Sequence, residues 1–201
     1  MATRMKPDER RELIVEIAAQ RFAEQGYRNQ SLRQVAAACG MTAPGLLHYF
    51  PTLDALLEAV LQRRDDLDLA TVADRLPEDA PFVDRIRAVL AYYRERGEEV
   101  RRFAIVEGEA LDPAHPAHAF FAGRQQRNYE MLQQMLADEY DNAEELAFVL
   151  AAAFEGLRWQ WMMAASDEFD PTDRMVRMWQ TVERLGVPRR PGAASHPTAA
   201  R

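Results

Sequence analysis

Residues 39–50 read CGMTAPGLLHYF, and the glycines, threonine and proline of this stretch interrupt a chain otherwise rich in helix formers. Ser31 is a good cap for a short helix whose apolar face is Leu32, Val35, Ala36 and Cys39, and Gly40 closes it after barely two turns. Thr42 caps the next helix. Pro44 falls in its first turn, where the missing N–H costs little, and Leu46 and Phe50 face inward one turn apart. The break at Gly40 is therefore a tight turn between two short helices, and small side chains on the first turn of the second would let the backbone approach a DNA groove. That pattern is a helix-turn-helix, with His48 and Tyr49 placed to meet phosphates at its far end.

Outward from this motif the apolar spacing stays helical. Leu13, Ile14, Ile17, Ala18 and Phe22 form one stripe that ends at Gly26. Downstream, Leu53, Leu56, Leu57, Val60 and Leu61 predict a fourth helix running towards Leu76, with Arg63, Arg64, Asp65 and Asp66 as a polar seam midway. A fifth carries Phe82 to Tyr93 and yields near Gly97 to a sixth around Val100 to Leu111, before the break at DPAHP. Three more are expected at about 116–140, 143–165 and 171–185. No alternating strand pattern survives, so the fold class is all-α. The ending VPRRPGAASHPTAAR has the composition of a disordered tail.

A chain of 201 residues with 48% hydrophobic content is long enough for one large domain or two small ones. The opening MATRMKPDERRELI has no apolar run, and the longest uncharged apolar stretch, LAFVLAAAF, is far short of the roughly 20 residues a membrane span needs. A cytoplasmic location without membrane association is expected. The single cysteine, Cys39, reads as a small buried residue. The net charge of −7 is uneven: residues 1–64 carry nine Lys or Arg against seven acids, so any phosphate-binding surface belongs in the first third. No Ser-His-acid order, phosphate loop or zinc-protease motif is present, which leaves no catalytic residue and no cofactor to nominate. Glu107, Glu109, Asp112, His115 and His118 have ligand chemistry, but their spacing fits no metal motif, and capping or pocket lining is their expected role.

Over residues 10–61, Ile17, Ala18, Phe22, Gly26, Tyr27, Ser31, Val35, Ala36, Gly40, Thr42, Leu46, Tyr49, Phe50, Ala55 and Leu56 fall in a register that resembles the DNA-binding domain of the TetR family of bacterial transcriptional regulators. The resemblance implies a three-helix DNA-binding domain (1–51), a helical effector-binding and dimerisation domain (52–186) and a tail (187–201). GLRWQW in the second-last helix is also similar to the dimer region of some members. Where members commonly place a DNA-gripping Tyr and Lys, this chain has Leu47 and Leu53. Expected DNA contacts are Arg28, Ser31, Arg33, Thr42, Ala43, Pro44, Gly45, Leu47, His48 and Tyr49, with Arg4 and Lys6 of the amino terminus. Ala43, Pro44, Gly45 and Leu47 offer no side-chain donor, so direct readout would lean on Arg33, thymine methyls and DNA shape.

The same resemblance implies a small-molecule effector site, with Tyr92, Phe103, Glu107, Phe120, Phe121, Arg124 and Gln125 as candidate lining. The apolar faces of the last two helices, including Phe154, Leu157, Trp161, Met175 and Trp179, look broader than one subunit needs and predict a homodimer. Two functional classes follow. One is a ligand-responsive regulator, of repressor type, that binds a palindromic double-stranded operator. The other is a helical ligand-carrying or protein-interaction module that has lost DNA binding.

Overall fold

A computed structural model describes residues 5–77, 79–164 and 169–189. Nine α-helices account for most of them, and no strand is present among the described residues beyond an isolated bridge between Tyr140 and Pro188. The chain divides into two compact units: residues 1–78 with 92–123, and residues 79–91 with 124–201.

The first unit starts with α1 (Pro7–Gln25), where Pro7 occupies the first turn and the Lys6 N–H donates to the Glu9 carboxylate at 2.9 Å. Gly26 ends it at φ 78°, a value that L side chains rarely adopt. A 3-10 turn, Tyr27–Asn29, follows. It is pinned by Gln30, buried with its amide between Arg21 and Gln25 at 2.8 Å from each. Then come α2 (Leu32–Ala38), α3 (Ala43–Leu47) and α4 (Leu53–Ala73). Ser31 and Thr42 cap as their sequence promises, Ser31 accepting from the Gln34 N–H and Thr42 from Gly45, and Thr52 caps α4 by accepting from Ala55. Gly40, at φ 63°, makes the turn between α2 and α3.

Burial explains why these short helices hold. Ile14, Val15 and Ala18 of α1 meet Val35, Ala36, Leu46, Phe50 and Leu56, all essentially without exposure. A five-residue helix such as α3 is too short to persist on propensity alone, so Leu46 and Phe50 anchor it. Truncating Leu46 to Ala is expected to cost about 2–5 kcal/mol. Cys39 closes this core, and burial pushes its thiol above the usual range. Leu53 is half-buried against the same core. Arg63 of α4 reaches the Glu12 carboxylate of α1 at 3.3 Å, fixing α4 on the head.

The remainder of this unit is the end of α5 (Phe82–Glu95), all of α6 (Gly97–Glu109) and the start of α7 (His118–Ala137). The sixth helix begins three residues earlier than its apolar stripe suggests, because the break falls at Arg96 and Gly97 is its first residue. Between α6 and α7, Asp112 accepts from the Ala114 N–H and His118 Nδ1 lies 2.8 Å from the Ala110 carbonyl. These bonds replace the helical ladder that Pro113 and Pro116 interrupt.

In the second unit α8 (Ala143–Met163) and α9 (Pro171–Val182) pack together, and α9 is continued by a 3-10 turn at Glu183–Leu185. Leu136, Leu146, Ala147, Leu150, Met175, Trp179 and Val182 form the core, with the Trp179 ring 4.5 Å from that of Phe82. Val187 and Arg189, expected to begin a disordered tail, are instead held by backbone pairing. The Val187 N–H donates to Asn142 Oδ1 at 2.7 Å, the Asp141 N–H to the Val187 carbonyl, and the Arg189 N–H to the Glu139 carbonyl. The rest of the expected tail, 190–201, lies outside the described residues, as do Arg4 and Ala165.

Candidate nucleic-acid interface

With Leu46 and Phe50 turned into the core, α3 presents Thr42, Pro44, Leu47 and His48 to solvent, while Ala43, Gly45 and Tyr49 are half-buried. Leu47 keeps 45% of its surface exposed, an unusual position for a leucine one place from a fully buried one. Gly45 suits its place because an added Cβ would come 3.2 Å from Thr42 Oγ1, the oxygen that caps the helix. The hydroxyls of Ser31 and Thr42 are occupied as caps, so their first duty is to hold the ends of α2 and α3. His48 and Tyr49 stand edge to face at 5.6 Å, and Tyr49 also packs on the core. Arg33 is exposed on α2 and has no partner among the described residues. Arg28 is exposed too, but its Nε lies 3.5 Å from Glu109 Oε2. The surface of α3 is thus a small-residue, apolar ridge, with exposed arginines on α2 and in the turn that precedes it.

A second group of side chains, which no spacing rule brings together, braces this head. Tyr27 donates to the Asp54 carboxylate, and its ring meets His115 edge-on at 6.4 Å. Burial first, then the bond and charge of Asp54, raise the Tyr27 phenol well above its ordinary range. His115 is buried, and its Nε2 lies 3.7 Å from Glu109. Glu109 and His115 were candidates for capping or lining, and the fold turns both towards the 3-10 turn before α2. Among the described residues no three ligand-type side chains come together as a metal group.

The residues nominated for an effector site separate. Phe103, Phe120 and Phe121 are buried and in ring contact at 5.0 and 5.3 Å, and they pack with Leu57, Leu61, Phe22 and Tyr27. They are core in this structure. Tyr92 is buried with its hydroxyl 2.5 Å from Asp68, and Glu107 is half-buried. Burial and this bond to Asp68 push the Tyr92 phenol up to about 12. Arg124 and Gln125 belong to the second unit. Sequence reasoning missed the buried carboxylates of Asp65 and Asp68 on α4. Their spacing from Leu61, at four and seven residues, puts them on its apolar face and was the available signal. The Arg64 guanidinium lies 4.0 Å over the Phe103 ring and 3.6 Å from Asp68.

The dimer expectation needs correction in detail. Leu157, Met175 and Trp179 are buried within the chain's own core, because α8 and α9 pack on each other. Phe154 and Trp161 are half-buried. The exposed apolar stripe of α8 is instead Phe148, Val149, Ala152, Gly156, Trp159 and Met163, and an added Cβ at Gly156 would meet nothing within 4 Å.

An all-α chain whose capped α2 and α3 turn at Gly40 on a base of α1 and α4 is a helix-turn-helix protein. Residues 14–60 match the family model described as bacterial regulatory proteins, tetR family. The HTH-type transcriptional regulator RutR of Escherichia coli strain K12 is 29% identical over 99 residues, covering 48% of this chain and 47% of that protein. The chain therefore spans about half the length of the curated relatives it matches. Among solved structures, a TetR-family transcriptional regulator from Rhodococcus sp. is 22% identical with a TM-score of 0.67, covering 87% of this chain and 98% of that one. Salmonella enterica GusR is 21% identical with a TM-score of 0.66, covering 90% and 98%. At these identities the structures speak to the fold alone. Residues 14–60 are thus similar to the DNA-binding segment of the tetR family of bacterial regulatory proteins, and the fold of the chain is similar to that of TetR-family regulators.

Proposed function

We propose that this protein is a transcriptional regulator that binds double-stranded DNA as a homodimer, with residues 1–51 as the reading head. The observation that carries the reading is the α3 ridge of Pro44, Leu47 and His48, exposed on a capped frame, with Arg28 and Arg33 exposed on the two elements before it, inside the segment that matches the family model. Small side chains permit close approach to the major groove, arginines supply phosphate and guanine contacts, and a two-fold dimer calls for a palindromic operator. On this reading residues 52–186 bind an apolar or amphipathic effector and dimerise through the exposed α8 stripe. The effector releases the operator, which makes the protein a repressor. Because Phe103, Phe120 and Phe121 are packed against one another, the effector enters by displacing that cluster. No helix among the described residues is long and apolar enough to cross a membrane, in keeping with action on DNA in the cytoplasm.

The test is selection of bound duplexes from random DNA with the full chain. Enrichment of a palindrome whose half-site centres lie about one helical turn or slightly more apart supports the reading. Recovery of no motif contradicts it and favours the ligand-carrying alternative.

A further inference from the structure

The turn Tyr27–Asn29 stands one residue ahead of the Ser31 cap of α2, and its one cation is three residues ahead of that cap. That cation, Arg28, is held from the far end of α6: its Nε is 3.5 Å from Glu109 Oε2. The same carboxylate oxygen is 3.7 Å from Nε2 of His115, whose side chain is only 4% exposed. His115 Nδ1 accepts the Ala117 N–H at 3.2 Å, which puts the proton of the neutral ring on Nε2. That buried nitrogen has no hydrogen-bond partner within range. Glu109 therefore has two claimants, an exposed guanidinium and a buried N–H, and a small movement would close it on the second.

We infer that Glu109 competes with a DNA phosphate for Arg28, and that the turn after α6 thereby acts as a brake on the reading head. This rests on the DNA-binding reading above. With DNA absent, the carboxylate holds Arg28. When a phosphate takes the guanidinium, Glu109 swings onto His115 Nε2, so the buried N–H gains the acceptor it lacks and part of the cost of breaking the ion pair is returned. Glu109 and Phe103 lie on one helix, and Tyr27 packs with the Phe103 and Phe120 cluster. Whatever displaces that cluster can thus alter the hold on Arg28.

The experiment is a four-protein cycle on one selected duplex: wild type, Glu109→Gln, Arg28→Ala and the double variant, with affinity read by fluorescence anisotropy and folding by circular dichroism. Glu109→Gln is expected to tighten binding by about two- to fivefold, the range of an exposed ion pair. In the Arg28→Ala background the same change should leave affinity unaltered, since the competition has lost its object. An equal gain in both backgrounds would mean that removing a negative charge acts only through the general field, and the inference falls while DNA binding stands. No change on Glu109→Gln overturns it as well. If wild type binds no duplex, the functional reading fails and the brake with it.

Discussion

The phenol of Tyr27 donates a hydrogen bond to the carboxylate of Asp54, tying the turn before α2 to the first turn of α4. The two residues bracket the helix-turn-helix, so the bond closes the frame on which α2 and α3 are carried. Asp54 also sits where the amino-terminal end of a helix favours negative charge. Tyr27→Phe should lower stability by about 1 kcal/mol in chemical denaturation. Asp54→Asn should lower it by a similar or smaller amount. An unchanged midpoint for both would show that the bond contributes nothing measurable.

Tyr92 gives a pH dependence with a definite sign. Its folded value is about 12, raised by burial and then by Asp68, against about 10 in the unfolded chain. The contribution is fully present below pH 10 and is lost as pH rises from 10 to 12. Tyr27 acts in the same direction. At pH 7, Tyr92→Phe should cost about 1–3 kcal/mol, because Asp68 loses its donor in a buried site. Between pH 10 and 12 its stability should fall less steeply than that of wild type. Parallel curves would assign the alkaline loss elsewhere.

Assembly is tested at Gly156. The position is exposed in the middle of the α8 stripe, and an added Cβ there would meet nothing within 4 Å. Gly156→Arg should therefore leave the helical signal and the fold of one chain intact while converting dimers to monomers in sedimentation velocity. Persistence of a dimer at micromolar concentration would move the interface off this face.

Leu47 carries a prediction about base reading. It is an exposed leucine among Ala43, Pro44 and Gly45, none of which has a side-chain donor, and the apolar group that the major groove offers is the thymine methyl. Replacing thymine by deoxyuridine at the bases facing α3 should weaken binding by several-fold. Leu47→Ala should abolish that difference. Equal affinity of wild type for both duplexes would remove Leu47 from base readout.

The head was legible because its determinants are local. Ser31, Thr42 and Thr52 cap within three residues of themselves, Gly26 and Gly40 take positive φ, and Leu46 and Phe50 lie one turn apart. The brace was not, since Tyr27, Asp54, Glu109 and His115 meet only through tertiary packing across more than eighty residues of chain. Asp65 reads as part of a polar seam because isolated carboxylates are costly to bury, yet it and Asp68 are both buried, and Tyr92 and Arg64 supply a donor and a charge for Asp68. In α8 and α9, periodicity reveals apolar faces without saying which one the chain itself covers. Trp179 was thus offered to a partner when Phe82 and Tyr140 already enclose it. Val187 shows the same limit at the carboxyl end, where composition suggested a loose tail and Asn142 supplies a partner.

The central claim is that this head grips DNA as part of a dimer. The most direct measurement is the affinity for one selected palindromic duplex as a function of salt, with the number of chains bound per duplex determined in the same titration. The account predicts two chains per duplex and a log–log slope of about −0.9 for each phosphate neutralised, made shallower by about one phosphate per head in Arg28→Ala. Binding that does not vary with salt, or a slope unmoved when Arg28 is removed, would contradict it.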